Sequence, residues 1–147
     1  MAKTKRRSGK TVMIGVILII IAAVWGFIRL TSQGSSGISG ATDRERTAYI
    51  ESFGYKVGTV PDKIEEIRIP ANFDEAYEQY NAIQREQGFD LRKYRAYYAK
   101  KYTYTITNSG STAVPLCANL IVIDGIIVGA DISSPEAGGV LTVLAKK

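Results

Sequence analysis

The run TVMIGVILIIIAAVWGFIRL at residues 11–30 constrains this chain more than any other feature. Its inner part, residues 12–28, opens at Val12, closes at Ile28 and holds 17 residues without a charge, a Pro, an Asn or a Gln. At about 1.5 Å of rise per residue, a helix of that length covers about 26 Å, close to the ~30 Å hydrocarbon core of a bilayer. The run therefore predicts one transmembrane helix over residues 11–30, with the lipid bilayer as the partner of residues 12–28. Lys3, Lys5, Arg6, Arg7 and Lys10 precede it with no anion among them, whereas Arg29 and then the mixed Asp43, Arg44, Glu45 and Arg46 follow. Positive flanks stay in the cytoplasm. Residues 1–10 are thus expected as a basic cytoplasmic tail, and the C-terminal domain outside, in a single-pass cell-membrane protein. The competing reading is a cleaved secretory signal, but such h-regions run about 7–15 residues and end at small residues. This run is longer and leaves through Trp25, Phe27, Ile28 and Leu30, side chains suited to a membrane interface.

The formal charge of +5, from 19 Lys and Arg against 14 Asp and Glu, is a property of that N-terminus. Lys3, Lys5, Arg6, Arg7, Lys10 and Arg29 precede residue 31, which leaves 13 cations against 14 anions, or about −1, for the remainder. A nucleic-acid partner is therefore not expected. The chain has no His and one Cys, Cys117. That excludes an internal disulfide, a zinc site of His and Cys, and Ser-His-Asp or Cys-His catalysis, so neither a metal nor a cofactor is expected. Within LCANLIV, Cys117 reads as a small buried apolar residue.

Residues 31–41, TSQGSSGISGA, read as a flexible Gly/Ser linker of about 17–20 Å r.m.s. span. Residues 42–147 are left for one domain with one core. Thr42 and Glu45 form a capping box, Tyr49, Ile50 and Phe53 the apolar stripe of a first helix, and Gly54 its stop. YKVGTV at 55–60 reads as a short strand. KIEEIRI at 63–69 reads as another, with room for a bulge at Glu65 and Glu66 where alternation fails. Asn72 and Glu75 predict the start of a second helix whose face is Phe73, Ala76, Tyr77, Tyr80 and Ile83, closed by Gly88. FDLRKYR is expected as a turn or short helical turn, and residues 99–107 alternate as a strand. Residues 116–123 and 126–132 flank Asp124-Gly125, the spacing of a type I′ hairpin. Such a hairpin sets Ile123 opposite Ile126, Ile121 opposite Val128, Asn119 opposite Ala130 and Cys117 opposite Ile132. The last segment, GGVLTVLAKK, supplies either an edge strand or a helical turn. This order implies an α+β domain with two helices packed on one face of an antiparallel sheet of about four to five strands.

Four stretches carry a resemblance: IESFGYKV (50–57), IPANFDEAYEQYNAIQREQGFDL (69–91), YTYTITN (102–108) and ANLIVIDGIIVGADISSP (118–135). Their motifs FGY, PxxFDxxYxxYNxxQxxQGFDL and GxDxxSP resemble an uncharacterised domain-of-unknown-function family of small membrane-anchored proteins from Gram-positive, clostridial-type bacteria. The likeness covers roughly residues 43–145 and departs at the hairpin turn, where Ile123 stands in place of an aromatic. It implies the same anchor and fold plan and no activity.

The candidate contact surface is RKYRAYYAKKYTY, residues 92–104, with five cations and five tyrosines. Arg92, Lys93, Arg95, Tyr97, Tyr98, Lys100 and Lys101 interleave charge with aromatic faces, as a site for an envelope protein or an anionic wall polymer does. The plainer reading packs the tyrosines into the core and lays the Lys and Arg stems on the sheet rim. Asp90, Asp124, Asp131 and Glu136 are the candidates for an acid–base pair or a Ca²⁺ site, though EF-hand spacing is absent. They carry the alternative function, a small carboxylate-based hydrolase or transferase acting on envelope material. Tyr77 and Tyr80 line either a ligand groove or the core. With no His, no metal cluster and no nucleophile motif, no catalytic residue is assigned. The favoured expectation is a non-enzymatic binding module at the cell envelope.

Overall fold

A computed structural model describes residues 37–110, 114–136 and 139–146. The predicted tail, the predicted membrane segment at residues 11–30 and residues 31–36 of the predicted linker lie outside them. Among the described residues, no helix is long and apolar enough to cross a membrane. The end of the predicted linker belongs to the domain. Ile38–Ser39 forms a strand, β1, and the Gly40 N–H donates to the Gly125 carbonyl at 2.8 Å.

The elements follow as helix α1 (Asp43–Glu51), strand β2 (Lys63–Arg68), helix α2 (Glu75–Glu86), a 3-10 turn (Leu91–Tyr94), and strands β3 (Tyr98–Thr105), β4 (Cys117–Ile123), β5 (Ile126–Ser133) and β6 (Leu141–Thr142). The sheet runs β1-β5-β4-β3-β2, with β6 also on β5, and all pairs are antiparallel. The fold is α+β as expected; the two-residue β1 is the strand not expected, and β6 takes the edge-strand alternative for the last segment. YKVGTV forms no strand. Its backbone instead bonds to the segment after β3, through Lys56 N–H to Asn108 Oδ1 at 2.8 Å and Thr107 N–H to the Lys56 carbonyl at 2.8 Å, while Tyr55 and Val57 pack on the core.

Capping chemistry starts both helices. Thr42 and Glu45 make the reciprocal capping box before α1. For α2 the cap is Asp74 rather than Asn72, because the Asp74 carboxylate accepts from the Tyr77 amide at 2.8 Å, the third of the helix. Gly54 at φ 91° and Gly88 at φ 84° follow the two helices in the left-handed region.

The helices lie on opposite faces of the sheet, not on one. Ala118, Leu120 and Val122 of β4 join the cluster that contains Ile50 of α1, whereas Ile121 and Ile123 join the cluster packed by Tyr77 and Tyr80 of α2. Successive residues of a strand point to opposite faces, so β4 is apolar on both sides and serves two cores.

The β4–β5 turn has the expected form, with φ 48° at Asp124 and 78° at Gly125. Its register is not the expected one. Val122 pairs with Ile127 but Ile121 pairs with Gly129, so Val128 is a bulged residue and every pair beyond it shifts by one. Gly129 makes this possible. A Cβ there would sit 3.1 Å from Gln84 Oε1, 3.3 Å from Ile121 Cδ1 and 3.4 Å from Leu91 Cδ2. Asn119 consequently faces Asp131, and Cys117 faces Ser133 and is half-buried rather than buried. The bulge suggested at Glu65 and Glu66 is absent, the β2–β3 register being continuous from Lys63–Thr103 to Arg68–Tyr98.

The two long edges of the sheet are treated differently. On the outer side of β5, β1 pairs at Ile126 and Ile127 and β6 at Ile132 and Ser133. In the gap between them α2 supplies side chains. Gln84 Oε1 accepts the Ala130 N–H at 2.8 Å, and Gln87 Nε2 donates to the Ala130 carbonyl at 2.7 Å. Two glutamines one helical turn apart thus complete the edge where no strand reaches it. On the outer side of β2, no described residue pairs with the strand.

Candidate functional site

A groove of about 600 Å³ opens on the α1 face. Tyr98, Lys100 and Tyr102 of β3 line it with Glu66 of β2, Val122 of β4 and the Asp124–Gly125 turn, and Gly40–Ala41 form a wall. Period-two alternation on β3 turns Tyr98, Lys100 and Tyr102 to this side, and register brings Glu66, Lys100 and Val122 into one row across three strands. Helix α1 does not cover this part of the sheet, which leaves Tyr98 75% exposed.

Arg46 holds the groove's inner end. Its guanidinium lies 3.8 Å from the centroid of the Tyr102 ring, donates to Tyr104 Oη at 3.0 Å and to the Gly40 carbonyl at 2.6 Å, and pairs with Asp43. Only a planar, five-donor cation can stack and bond in this way at once. Arg46 thereby ties the β1–α1 junction to β3 and sets the position of the Tyr102 ring. Sequence reasoning passed it over, although Arg46, Tyr49, Ile50 and Phe53 keep i, i+3, i+4, i+7 spacing and mark it as an inward-facing position.

The predicted contact residues divide between sites. Tyr98 and Lys100 line the groove, while Lys101 points to the other face, opposite Glu65 in the β2–β3 register. Arg92 is paired with Glu78 of α2 at 2.6 Å, and the Arg95 guanidinium lies 5.2 Å from the Phe73 ring centroid. Tyr97 is exposed and meets the edge of Tyr94, ring centroids 6.2 Å apart, and Lys93 is an exposed residue of the 3-10 turn. Glu66 and Tyr102, not singled out from the sequence, complete the groove. The signal for Glu66 was long-range, since only pairing with β3 sets it beside Lys100.

Among the candidate carboxylates only Asp124 reaches the groove. Asp90 caps the 3-10 turn and accepts from Asn81 Nδ2 at 3.1 Å, a bond that holds its pKa below the ordinary carboxylate value. Asp131 is buried on the α2 face. It accepts from Tyr80 Oη at 2.8 Å and from Asn119 Nδ2 at 2.7 Å, and Asn119 also bonds Thr103 Oγ1 and Ser133 Oγ at 2.8 Å each. Burial raises the pKa of Asp131 against these bonds, and burial followed by the Asp131 charge pushes Tyr80 well above the usual phenol value. Glu136 is exposed near the end of the domain. Among the described residues, no group of three or more His, Cys, Asp and Glu side chains is placed to hold a metal ion.

The motif residues have structural tasks instead. Asp74 caps α2, Asn81 holds Asp90 and the Leu91 amide, Gln84 and Gln87 close the β5 edge, Gly129 allows the bulge, and Asp131 ties β5 to α2. Neither the curated proteins nor the solved structures contain a match to this chain. A family model does match, over residues 49–132, the span that contains these interlocking side chains. The chain therefore belongs to the family described as domain of unknown function DUF4830.

Proposed function

We propose that this chain is a membrane-anchored, extracytoplasmic binding module of the cell envelope, without catalytic activity, and that its contact surface is the groove beside Tyr98 and Lys100. The observation that carries the reading is the open sheet face itself. An aromatic, mixed-charge concavity of about 600 Å³ is of the size and character of a recognition site. Tyrosine and arginine dominate such surfaces because they combine apolar area with a polar tip. The anchor rests on residues 12–28 and the orientation on the five cations before them. Glu66 and Asp124 against Lys100 give the lining two carboxylates and one ammonium, which favours a protein partner over an anionic wall polymer. Of the four carboxylates that carried the hydrolase alternative, Asp124 alone lines the groove, and the second carboxylate there is Glu66.

The test is retention of the detergent-solubilised full-length chain on isolated envelope fragments. Tyr98→Ala should lower retention roughly tenfold, the scale of a central interfacial tyrosine. Lys100→Glu should change it far less if the partner is a protein, and abolish it if the partner is a polyanion. Retention of the Tyr98→Ala chain equal to the parent's overturns the assignment of the groove.

A further inference from the structure

We propose that the outer edge of β2 takes up an extended segment of a different protein as an added strand, with a basic side chain of that segment reaching Glu66 at the rim of the groove. This rests on the reading of the groove as a contact surface and names its partner as a polypeptide. The backbone geometry comes first. Ile69 donates its N–H to the Tyr97 carbonyl at 3.0 Å and pairs with β3. By the alternation of an antiparallel ladder, Ile67, Glu65 and Lys63 also bond to β3, and Ile64, Glu66 and Arg68 turn their N–H and C=O groups outward. Those six groups form a template for strand addition.

The rest of the molecule shows that an uncovered edge is not this fold's habit. The opposite edge is filled by β1, β6 and the amides of Gln84 and Gln87, down to the single residue Ala130. Only β2 is left open over its whole length among the described residues. Apolar surface accompanies it, with Ile64 56% and Val60 61% exposed and Tyr98 beside Arg68 on the groove side.

Charge decides between a second copy and a different partner. Two copies of β2 paired about a two-fold axis must match outward-facing residues, so residue numbers of opposed pairs add to an even total. The two registers with the longest overlap then place Glu65 against Glu65 or Glu66 against Glu66 of the second copy, and like charges directly opposite are destabilising. Glu65 is already paired with Lys63 at 2.8 Å, so it is Glu66, on the groove side, that offers a carboxylate to a cation of an incoming strand. Charged side chains on the edge therefore discourage self-association while leaving a complementary partner free to bind.

The probes are two blocked eight-residue peptides, one alternating Lys with Val and the other Glu with Val, added to the full-length chain in detergent micelles. Hydrogen exchange is read at single amides. With the Lys–Val peptide, exchange at Ile64, Glu66 and Arg68 should slow at least about tenfold, whereas the Glu–Val peptide should leave it unchanged. Glu66→Lys should reverse that preference. Ile64→Pro removes one outward donor without touching the bonds to β3, and should abolish the protection. No slowing with the Lys–Val peptide, or equal slowing with both, overturns the inference. If Tyr98→Ala lowers retention on envelope fragments roughly tenfold while Ile64→Pro leaves it unchanged, the groove stands as the contact surface and strand addition at β2 fails.

Discussion

Asp131 shows how much a single residue's setting depends on the bulge one turn away. Without the extra residue at Val128, Asn119 would face Ala130 and Asp131 would lose the amide that holds one of its oxygens. Burial makes Asp131 bind its proton more tightly in the folded chain than in the unfolded one. Its protonated form therefore stabilises the fold. That contribution is complete below the ordinary carboxylate value and is lost as pH rises through the raised one. Asp131→Asn keeps an acceptor for Asn119 and a donor for the rotatable Tyr80 hydroxyl, and it does not titrate. Urea unfolding of the two full-length chains from about pH 3 to about pH 7 should show the variant gaining on the parent as pH rises, then holding a constant lead. A difference that does not move with pH would show that Asp131 carries no such linkage. The turn residues Asp124, Gly125, Gly54 and Gly88 were legible in advance because their demand is local, a positive φ that few residues meet. The partners of Arg46 and Asp131 were not, since each is held by a tyrosine more than 50 positions away.

Among the elements, α2 does more than cover a core. Gln87 donates to the carbonyls of Ile83 and Ala130 and accepts the Leu144 N–H at 3.0 Å, so one side chain joins the helix, the gap in the β5 edge and the segment after β6. Gln87→Ala leaves the Ala130 carbonyl and the Leu144 amide without these partners and should cost about 1–3 kcal/mol. Hydrogen exchange at Leu144 should quicken in that variant, and unchanged exchange would mean that the bond carries no weight. The two stripes and the Thr42–Glu45 cap of α1 were legible because they are local signals, whereas the cap of α2 was expected at Asn72 and stands at Asp74. Local signals did not reveal that the two stripes serve opposite faces. That followed only from β4, whose apolar residues at 118, 120 and 122 meet α1 and whose residues 121 and 123 meet α2.

Protease added to intact protoplasts should remove residues 31–147 if the five cations before the apolar run hold the N-terminus inside. Protection of the domain would reverse that orientation, and release of a soluble form would favour cleavage. The domain's near-neutral charge makes its encounters short-range, since charge interactions fade beyond about 8 Å at physiological salt. Such a charge suits the proposed tethering, in which the domain meets its partner nearby.

The chain's own order of residues was enough for the α+β class, the two helices, the type I′ hairpin and the expectation of a membrane segment. Each rests on a period, a cap or a turn that lies within about 20 consecutive residues. Tertiary structure alone decided the rest: the bulge at Val128, the two-faced sheet, the glutamine closure of one edge, the open edge of β2, and the gathering of Glu66, Tyr98, Lys100 and Tyr102 in one groove. The physical reason is register. A shift of one residue exchanges every side chain between faces, and register is set by packing between segments far apart in the chain.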